Sequence, residues 1–276
     1  MIKIGINVDN WRHADKSVDY SFAFIAKLGV EYAELEASNG DDFIEGLGYS
    51  PYVALNSDPM EIRKKAEKYG LKLSQIDVAF PINRWECIDY IRRGILYASL
   101  AGIPRVNTTD GATKVPGLTD AEQLGIIKYH LSQCLPVAEN HKIIIDVEPH
   151  GPFTTNPEML LEIVTHFHSP YVRINFDTGN CFISGQDPVK FLEQVADYVS
   201  HVHCKDVSAA LAAAVRGKET GISASVVPIG QGVIADSIAQ CIQLLKKRNW
   251  DSVFSIETEG EENVKASVAW LRQQIG

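Results

Sequence analysis

Short apolar runs alternate with longer segments whose apolar positions recur every three or four residues, and this alternation continues from one end of the chain to the other. The short runs predict strands near 2–7, 31–36, 72–78, 104–108, 142–148, 171–177, 199–204 and 252–257. The longer segments predict helices near 16–28, 59–69, 85–101, 120–139, 157–167, 188–197, 234–248 and 261–274. Several helix starts carry their own chemistry. Asp58-Pro59, Asn156-Pro157 and Asp187-Pro188 each set a capping side chain before a proline at the first helical position. Thr119 with Glu122 reads as a capping box. Strands that alternate with helices need crossover connections, hence a parallel sheet. Eight such units in 276 residues favour a closed (β/α)8 TIM barrel, which typically uses about 250 residues, over an open doubly wound sheet. No Pro/Gly/Ser-rich linker divides the chain, so residues 1–276 are expected to form a single α/β domain.

The polar positions inside the strands add chemistry. Four runs end in an acidic or imidazole side chain: Ile143 to Glu148, Val172 to Asp177, Val199 to His203 and Val253 to Glu257. Side chains alternate along a strand. Asp146 and Glu148 therefore share a face, as do Asn175 and Asp177, His201 and His203, and Ser255 and Glu257. Their apolar neighbours would pack on the helices, which turns the polar face inward. Buried charge is costly unless paired or bound to a cation. A single acid at a strand end is often only a helix cap, and a lone strand histidine is more often a satisfied core residue than a ligand. Four such groups on four successive strands point to one metal site of Glu148, Asp177, His203 and Glu257. Three carboxylates and one imidazole suit Mn²⁺ first, then Mg²⁺ or Co²⁺, with Zn²⁺ favouring more nitrogen or sulfur. No organic cofactor is expected.

Bulk properties narrow the partners. The chain is 45% hydrophobic, with net charge -9 and pI near 5.4. Such a surface repels phosphate backbones and anionic lipid, so neither nucleic acid nor membrane is an expected partner. The first residues lack the pattern of a signal peptide, and no run reaches the ~18 apolar residues of a membrane span. The five widely spaced cysteines read as reduced thiols of a cytoplasmic protein. Two long loops, 37–58 and 205–233, fall on the C-terminal face, where barrel enzymes build their sites. The second contains a short helix from Ala209 to Val215, then Gly230-Gln231-Gly232. It reads either as a lid or as a rigid insertion, and as a surface for a homo-oligomer or partner subunit.

At these residues the chain resembles the xylose isomerase-like TIM barrels, the sugar phosphate isomerase/epimerase superfamily. The matching pieces are Glu148-Pro149-His150, Asp177-Thr178-Gly179-Asn180, His201-Val202-His203-Cys204-Lys205-Asp206, Ser255-Ile256-Glu257 and the glycine turn Pro228 to Gly232. The resemblance covers essentially the whole chain. It implies a cation held by Glu148, Asp177, His203 and Glu257, with His203 rather than His201 as the ligand. The nearest branches are the inosose dehydratases, the ketose 3-epimerases and enzymes that process 3-keto glycosides. His-x-Lys-Asp is shared with the inosose dehydratase type. The ketose epimerases more often carry Glu after that histidine and Arg beyond it, whereas here Asp206 stands in that region and no Arg precedes Arg216.

The resemblance implies a sugar or cyclitol substrate and an isomerase or epimerase that abstracts a proton α to a metal-bound carbonyl, through an enediolate. Glu148 and Glu257 become the acid/base pair, acting from opposite sides of the barrel mouth. Expulsion of a β leaving group after the same first step would make a lyase, a dehydratase or a C-glycoside deglycosidase. His150 is an alternative base or a hydroxyl-binding group, and otherwise a supporting loop histidine. Asn180, Lys205, Asn7 and Asn107 are candidate substrate contacts. Glu36 and Asp77 lie at strand ends with them. Asp206 would orient a ligand imidazole or hold Lys205, and His201 would pack one layer deeper. Trp11, Trp85 and Phe153 are candidates to stack on a sugar face, with core packing the better reading of Trp85. Two rivals come from other classes. One is a nuclease like the endonuclease IV barrels, which would need more histidine ligands and a basic groove. The other is a non-catalytic sugar-binding subunit.

Overall fold

A computed structural model describes residues 1–38, 51–218, 221 and 225–276. Its strands are β1 (Lys3–Asn7), β2 (Tyr32–Ser38), β3 (Val53–Ala54), β4 (Lys72–Pro81), β5 (Arg105–Thr109), β6 (Ile144–Val147), β7 (Val172–Asp177), β8 (Val199–Cys204) and β9 (Val253–Ile256). All pairings are parallel, and β1 pairs with both β2 and β9, which closes the ring that runs from β2 through β4 to β9. β3 only extends the outer end of β2, with Ala37 beside Val53. The closed eight-stranded (β/α)8 barrel expected from the alternation is the observed fold.

The helices are α1 (Val18–Lys27), α2 (Pro59–Lys68), α3 (Cys87–Ala101), α4 (Asp120–His141), α5 (Pro157–Thr165), α6 (Thr178–Ile183), α7 (Pro188–Val195), α8 (Ala209–Val215), α9 (Ala235–Lys247) and α10 (Glu261–Ile275). The caps form as the sequence requires. Asp58, Asn156 and Asp187 accept hydrogen bonds from the N–H groups just inside their helices. Thr119 and Glu122 make the reciprocal box. α6 was not predicted. Asp177 ends β7 and at once caps this helix through the Asn180 N–H, and six residues are too few to show a helical period.

Strand alternation sorts side chains as expected. Apolar positions meet the helix ring: Phe176 of β7 packs on Phe191 of α7 with ring centroids 5.8 Å apart. Polar positions point into the barrel, where Asn7, Glu34, Asn107, Asp146, Asn175 and His201 are fully buried. All five cysteines are buried and unpaired. Of the two long loops, residues 39–50, 219–220 and 222–224 lie outside the described residues. The described part of the second loop includes the expected helix α8. It is tied to the barrel by Gly217 N–H to Ile183 O at 2.7 Å and Gly221 N–H to His150 O at 2.9 Å. Among the described residues, no helix is long and apolar enough to cross a membrane.

One close approach gives a stability test. A Cβ on Gly94 of α3 would lie 2.5 Å from Cγ1 of Val78 on β4. Val78 is fully buried and β-branched, so its rotamer is restricted and it gives way poorly. Gly94→Ala gains about 1 kcal/mol of helix propensity but overpacks the contact by about 1–3 kcal/mol. The expected outcome is a lower urea midpoint for Gly94→Ala. In a double-mutant cycle with Val78→Ala, the loss should be smaller when the valine is already truncated.

Candidate metal centre and cavity

Four side chains meet at the C-terminal end of the barrel. Glu148 follows β6, Asp177 ends β7, His203 lies near the end of β8 and Glu257 follows β9. The register sets Asp177 beside His203 on adjacent strands. Ligand atoms of Glu148, Asp177 and His203 all lie within 4.8 Å of one another, and the three residues are buried. Glu257 joins through the imidazole. Its Oε1 is 3.3 Å from His203 Nδ1, and Glu148 Oε1 is 3.2 Å from the same nitrogen.

This donor set fits a single hard divalent cation. A positive charge already stands among the carboxylates. The Lys205 ammonium is 3.1 Å from Asp177 Oδ2 and 2.8 Å from Glu257 Oε2. Its stem crosses Gly179, where a Cβ would lie 2.8 Å from Lys205 Cγ. Glycine in the Asp177-Thr178-Gly179-Asn180 segment therefore lets the ammonium reach the cluster.

The asparagines orient the acids. Asn107 Nδ2 donates to Glu148 Oε2 at 2.7 Å, and Asn180 Nδ2 donates to Glu148 Oε1 at 3.0 Å. Asn7 Nδ2 donates to Glu257 Oε1 at 3.0 Å and to Glu36 Oε1 at 2.9 Å. The structure thus turns the amides of Asn7, Asn107 and Asn180, expected as substrate contacts, onto the carboxylates. Asn180 also faces the cavity. That cavity has a volume of about 260 Å³, and Glu148, Glu257, His150, Lys205, Glu36 and Asp77 are among its walls. His150 Nδ1 has no hydrogen-bond partner among the described residues, and Asp77 Oδ1 likewise.

Electrostatics follow from burial and neighbours. Burial pushes the Glu148 carboxyl up, but His203, His150 and Lys205 together outweigh it and leave Glu148 well below the usual range. Glu257 is likewise lowered: burial raises it, while His203 and Lys205 together prevail. Burial raises Asp177 to about 7 against the pull of Lys205. His203 goes the other way from its burial, because Glu257, Glu34 and Glu148 surround it and favour its charged form. Burial lowers His150. Glu36 and Asp77 are raised well above the carboxylate range, by burial first and by neighbouring acids second.

Two expectations need correction. Among the described residues, the Asp206 carboxylate makes no hydrogen bond or ion pair with an imidazole or with Lys205. Its carboxylate accepts from the N–H groups of Val207, Gly230, Gly232 and Ile234, so it organises the glycine turn. The N–H groups of that tight turn need an acceptor, and Asp206 supplies it. The aromatic candidates do not face the cavity either. Trp11 packs edge-on against Phe24, Phe153 is fully buried, and Trp85 is 72% exposed rather than in the core. His201 sits one layer below His203, with Nδ1 3.1 Å from Asn175 Oδ1.

Sequence reasoning missed Glu34. It is fully buried, and its Oε1 is 2.7 Å from His203 Nε2. The signal was present in the alternation Ala33-Glu34-Leu35-Glu36, which repeats the pattern of Asp146-Val147-Glu148. It also missed the trio of Asp9, Arg12 and Tyr52 at the outer wall, where Tyr52 Oη donates to Asp9 at 2.7 Å.

Comparison with known proteins agrees with this architecture. A curated relative, an uncharacterized protein of Methanocaldococcus jannaschii, is 28% identical over 152 residues. That match covers 52% of this chain and 47% of the relative, so the chain spans about half the length of the curated protein it matches. The solved structure of an L-ribulose 3-epimerase superposes with a TM-score of 0.77 at 14% identity, covering 100% of this chain and 95% of that one. The IolI protein, solved with a bound zinc atom, superposes with a TM-score of 0.77 at 18% identity, covering 99% and 98%. The family model described as xylose isomerase-like TIM barrel matches residues 22–274. The chain belongs to the xylose isomerase-like TIM-barrel family.

Proposed function

We propose that this protein is a divalent-metal-dependent enzyme that removes a proton α to a carbonyl of a small sugar or cyclitol and returns it elsewhere, as an isomerase or epimerase. The observation that carries this reading is the approach of Glu148 and Glu257 to one nitrogen, His203 Nδ1, at the wall of a small polar cavity. The epimerase among the structural neighbours and the zinc atom in IolI support it. Glu148, Asp177, His203 and Glu257 would hold the cation. When bound, the cation supplies Lewis-acid polarisation of the substrate carbonyl and stabilises the charge that develops there.

The protein side of the chemistry is a proton relay between two carboxylates. In each glutamate Oε1 is turned toward His203 Nδ1. Oε2 is held as well, by Asn107 in Glu148 and by Lys205 in Glu257, so both carboxylates are fixed in orientation. Their lowered proton affinity makes them weak bases toward an unactivated C–H, so the step depends on prior activation of the substrate. Asn107 and Asn7 hold the two carboxylates in place. His150, which lines the cavity, binds a substrate hydroxyl. Lys205 binds a substrate oxygen. The cavity holds a molecule the size of one sugar ring, and its acidic walls disfavour a phosphorylated one.

Two predictions follow the two halves of this reading. With Mn²⁺ present, the protein should wash solvent deuterium into one member of a panel of ketoses, 3-keto glycosides and inososes. Glu148→Gln and Glu257→Gln should each slow that exchange by about 10²–10⁴-fold, the usual weight of general acid–base catalysis, with circular dichroism unchanged. Normal exchange in either variant removes that residue from the acid/base pair. A product lacking a leaving group, rather than a labelled epimer, would redirect the assignment to a lyase. Separately, chelation should abolish exchange and Mn²⁺ should restore it. Asp177→Asn and His203→Gln should weaken Mn²⁺ binding in calorimetry by more than about 100-fold, beyond what loss of an outer partner costs. Undiminished Mn²⁺ binding in both would dismiss the four-residue site.

A further inference from the structure

We infer that Glu34 is a positioning residue that fixes the tautomer and ring pose of His203, so that Nδ1 alone is offered to the cation; this rests on the metal-dependent reading above. The imidazole has two nitrogens, and the structure treats them differently. Nε2 points down into the barrel, 2.7 Å from Glu34 Oε1. Nδ1 points up, toward Glu148 Oε1 and Glu257 Oε1. Without a metal the surrounding acids favour a proton on each nitrogen. When a cation takes the place of the Nδ1 proton, the hydrogen bond from Nε2–H to Glu34 keeps the remaining proton on Nε2 and the lone pair on Nδ1, the nitrogen that faces the other ligands. A carboxylate behind a ligand imidazole also raises its basicity as a donor.

Glu34 is built for that contact. It lies on β2, fully buried, in register with Asn7 on one side and Gln75 on the other. Gln75 Nε2 donates to the same Oε1 at 2.7 Å. Among the described residues Oε2 has no partner. A carboxylate with no access to solvent and one oxygen unpaired is expensive, and the neighbour that offsets it is His203.

Glu34, His201 and His203 also come within 4.8 Å of one another, a triad that would serve a second ion beneath the first. The spacing argues against it. Two ligand atoms on one tetrahedral ion, with bonds of about 2.0–2.2 Å, lie roughly 3.3 Å apart. The observed 2.7 Å is hydrogen-bond distance. His201 Nδ1 is meanwhile engaged by Asn175.

The test uses Zn²⁺, which is diamagnetic, as the probe on the full chain. Calorimetry gives stoichiometry and affinity for the wild type, Glu34→Gln and Glu34→Leu, and ¹⁵N-histidine labelling reads the His203 tautomer. The wild type should bind one Zn²⁺ per chain, with the proton on Nε2 and Nδ1 on the metal. Glu34→Gln, nearly isosteric and still able to accept from Nε2–H, should keep the tautomer and lose about 10–100-fold in affinity, the range for an outer partner. Glu34→Leu should lose at least as much and no longer hold a single tautomer. Unchanged affinity in Glu34→Gln and in Glu34→Leu overturns the inference alone, as does a proton on Nδ1 in the zinc-loaded wild type. Two Zn²⁺ per wild-type chain, with one lost in Glu34→Leu, would replace it by the second-ion arrangement. A folded wild type that takes up no Zn²⁺ defeats the metal-dependent reading itself.

Discussion

A carboxylate buried in a protein must be paired, coordinated or neutral, and the mouth of this barrel buries several within a few ångströms. The imidazole of His203 is where they balance. It lies between Glu34 below and Glu148 and Glu257 above, and it lowers the proton affinity of the two upper acids. Lys205 does the same for Asp177 and Glu257 from the cavity side. Glu36 and Asp77, where burial and neighbouring acids prevail, favour the neutral form instead. The interior is therefore graded. Glu148 and Glu257, beside His203, stay charged and suited to a cation. Asp177 is raised by burial to about 7 despite Lys205. Glu36 and Asp77 at the outer wall tend to be neutral and suited to hydroxyl groups.

Only a closed barrel makes this grading workable. The polar faces of eight strands converge, so an amide on one strand can orient a carboxylate on another. Asn107 on β5 does so for Glu148 after β6, and Asn7 on β1 does so for Glu257 after β9. The apolar faces meanwhile pack outward on the helices, as Phe176 on Phe191 illustrates. The usual barrel interior of branched apolar side chains is replaced here by hydrogen-bonded polar ones. A lost amide would thus be felt at the carboxylate it holds, rather than as a void.

The parts of this arrangement that repeat along the chain were legible in the sequence. Strand and helix periods place all eight ring strands, and the alternation along and just beyond β6 to β9 picks out Glu148, Asp177, His203 and Glu257. What was missed depends on distances across the ring. Glu34 follows the same alternation as Asp146, but nothing local says that β2 lies below His203. Asp206 sits in a family-like motif next to Lys205, yet its carboxylate turns away to backbone N–H groups some twenty-five residues later in the chain. α6 is a single short turn created by a cap rather than by a period. The aromatics failed for the opposite reason. Their size suggested sugar stacking, but Trp11 and Phe153 were needed to fill space.

Asp206 explains how a long insertion can coexist with an ordered site. The chain leaves β8 at Cys204, places Lys205 in the cavity, and at the next residue binds the N–H groups of Gly230 and Gly232. The far end of the insertion is thereby clipped to its near end, directly behind Lys205. A Cβ on Gly232 would stand 2.2 Å from Asp206 Oδ1, so the clip requires glycine there. Midway, Gly221 donates to His150 O, and a Cβ on it would lie 2.6 Å from Asn180 O. The insertion thus touches the segments carrying His150, Asn180 and Lys205 through backbone contacts that side chains would block. Its length can vary between those anchors without moving them, since extra loop residues cost only slowly increasing entropy. Those anchors tie the insertion to the segments that carry His150, Asn180 and Lys205, three residues of the cavity wall, with Lys205 itself held between Asp177 and Glu257.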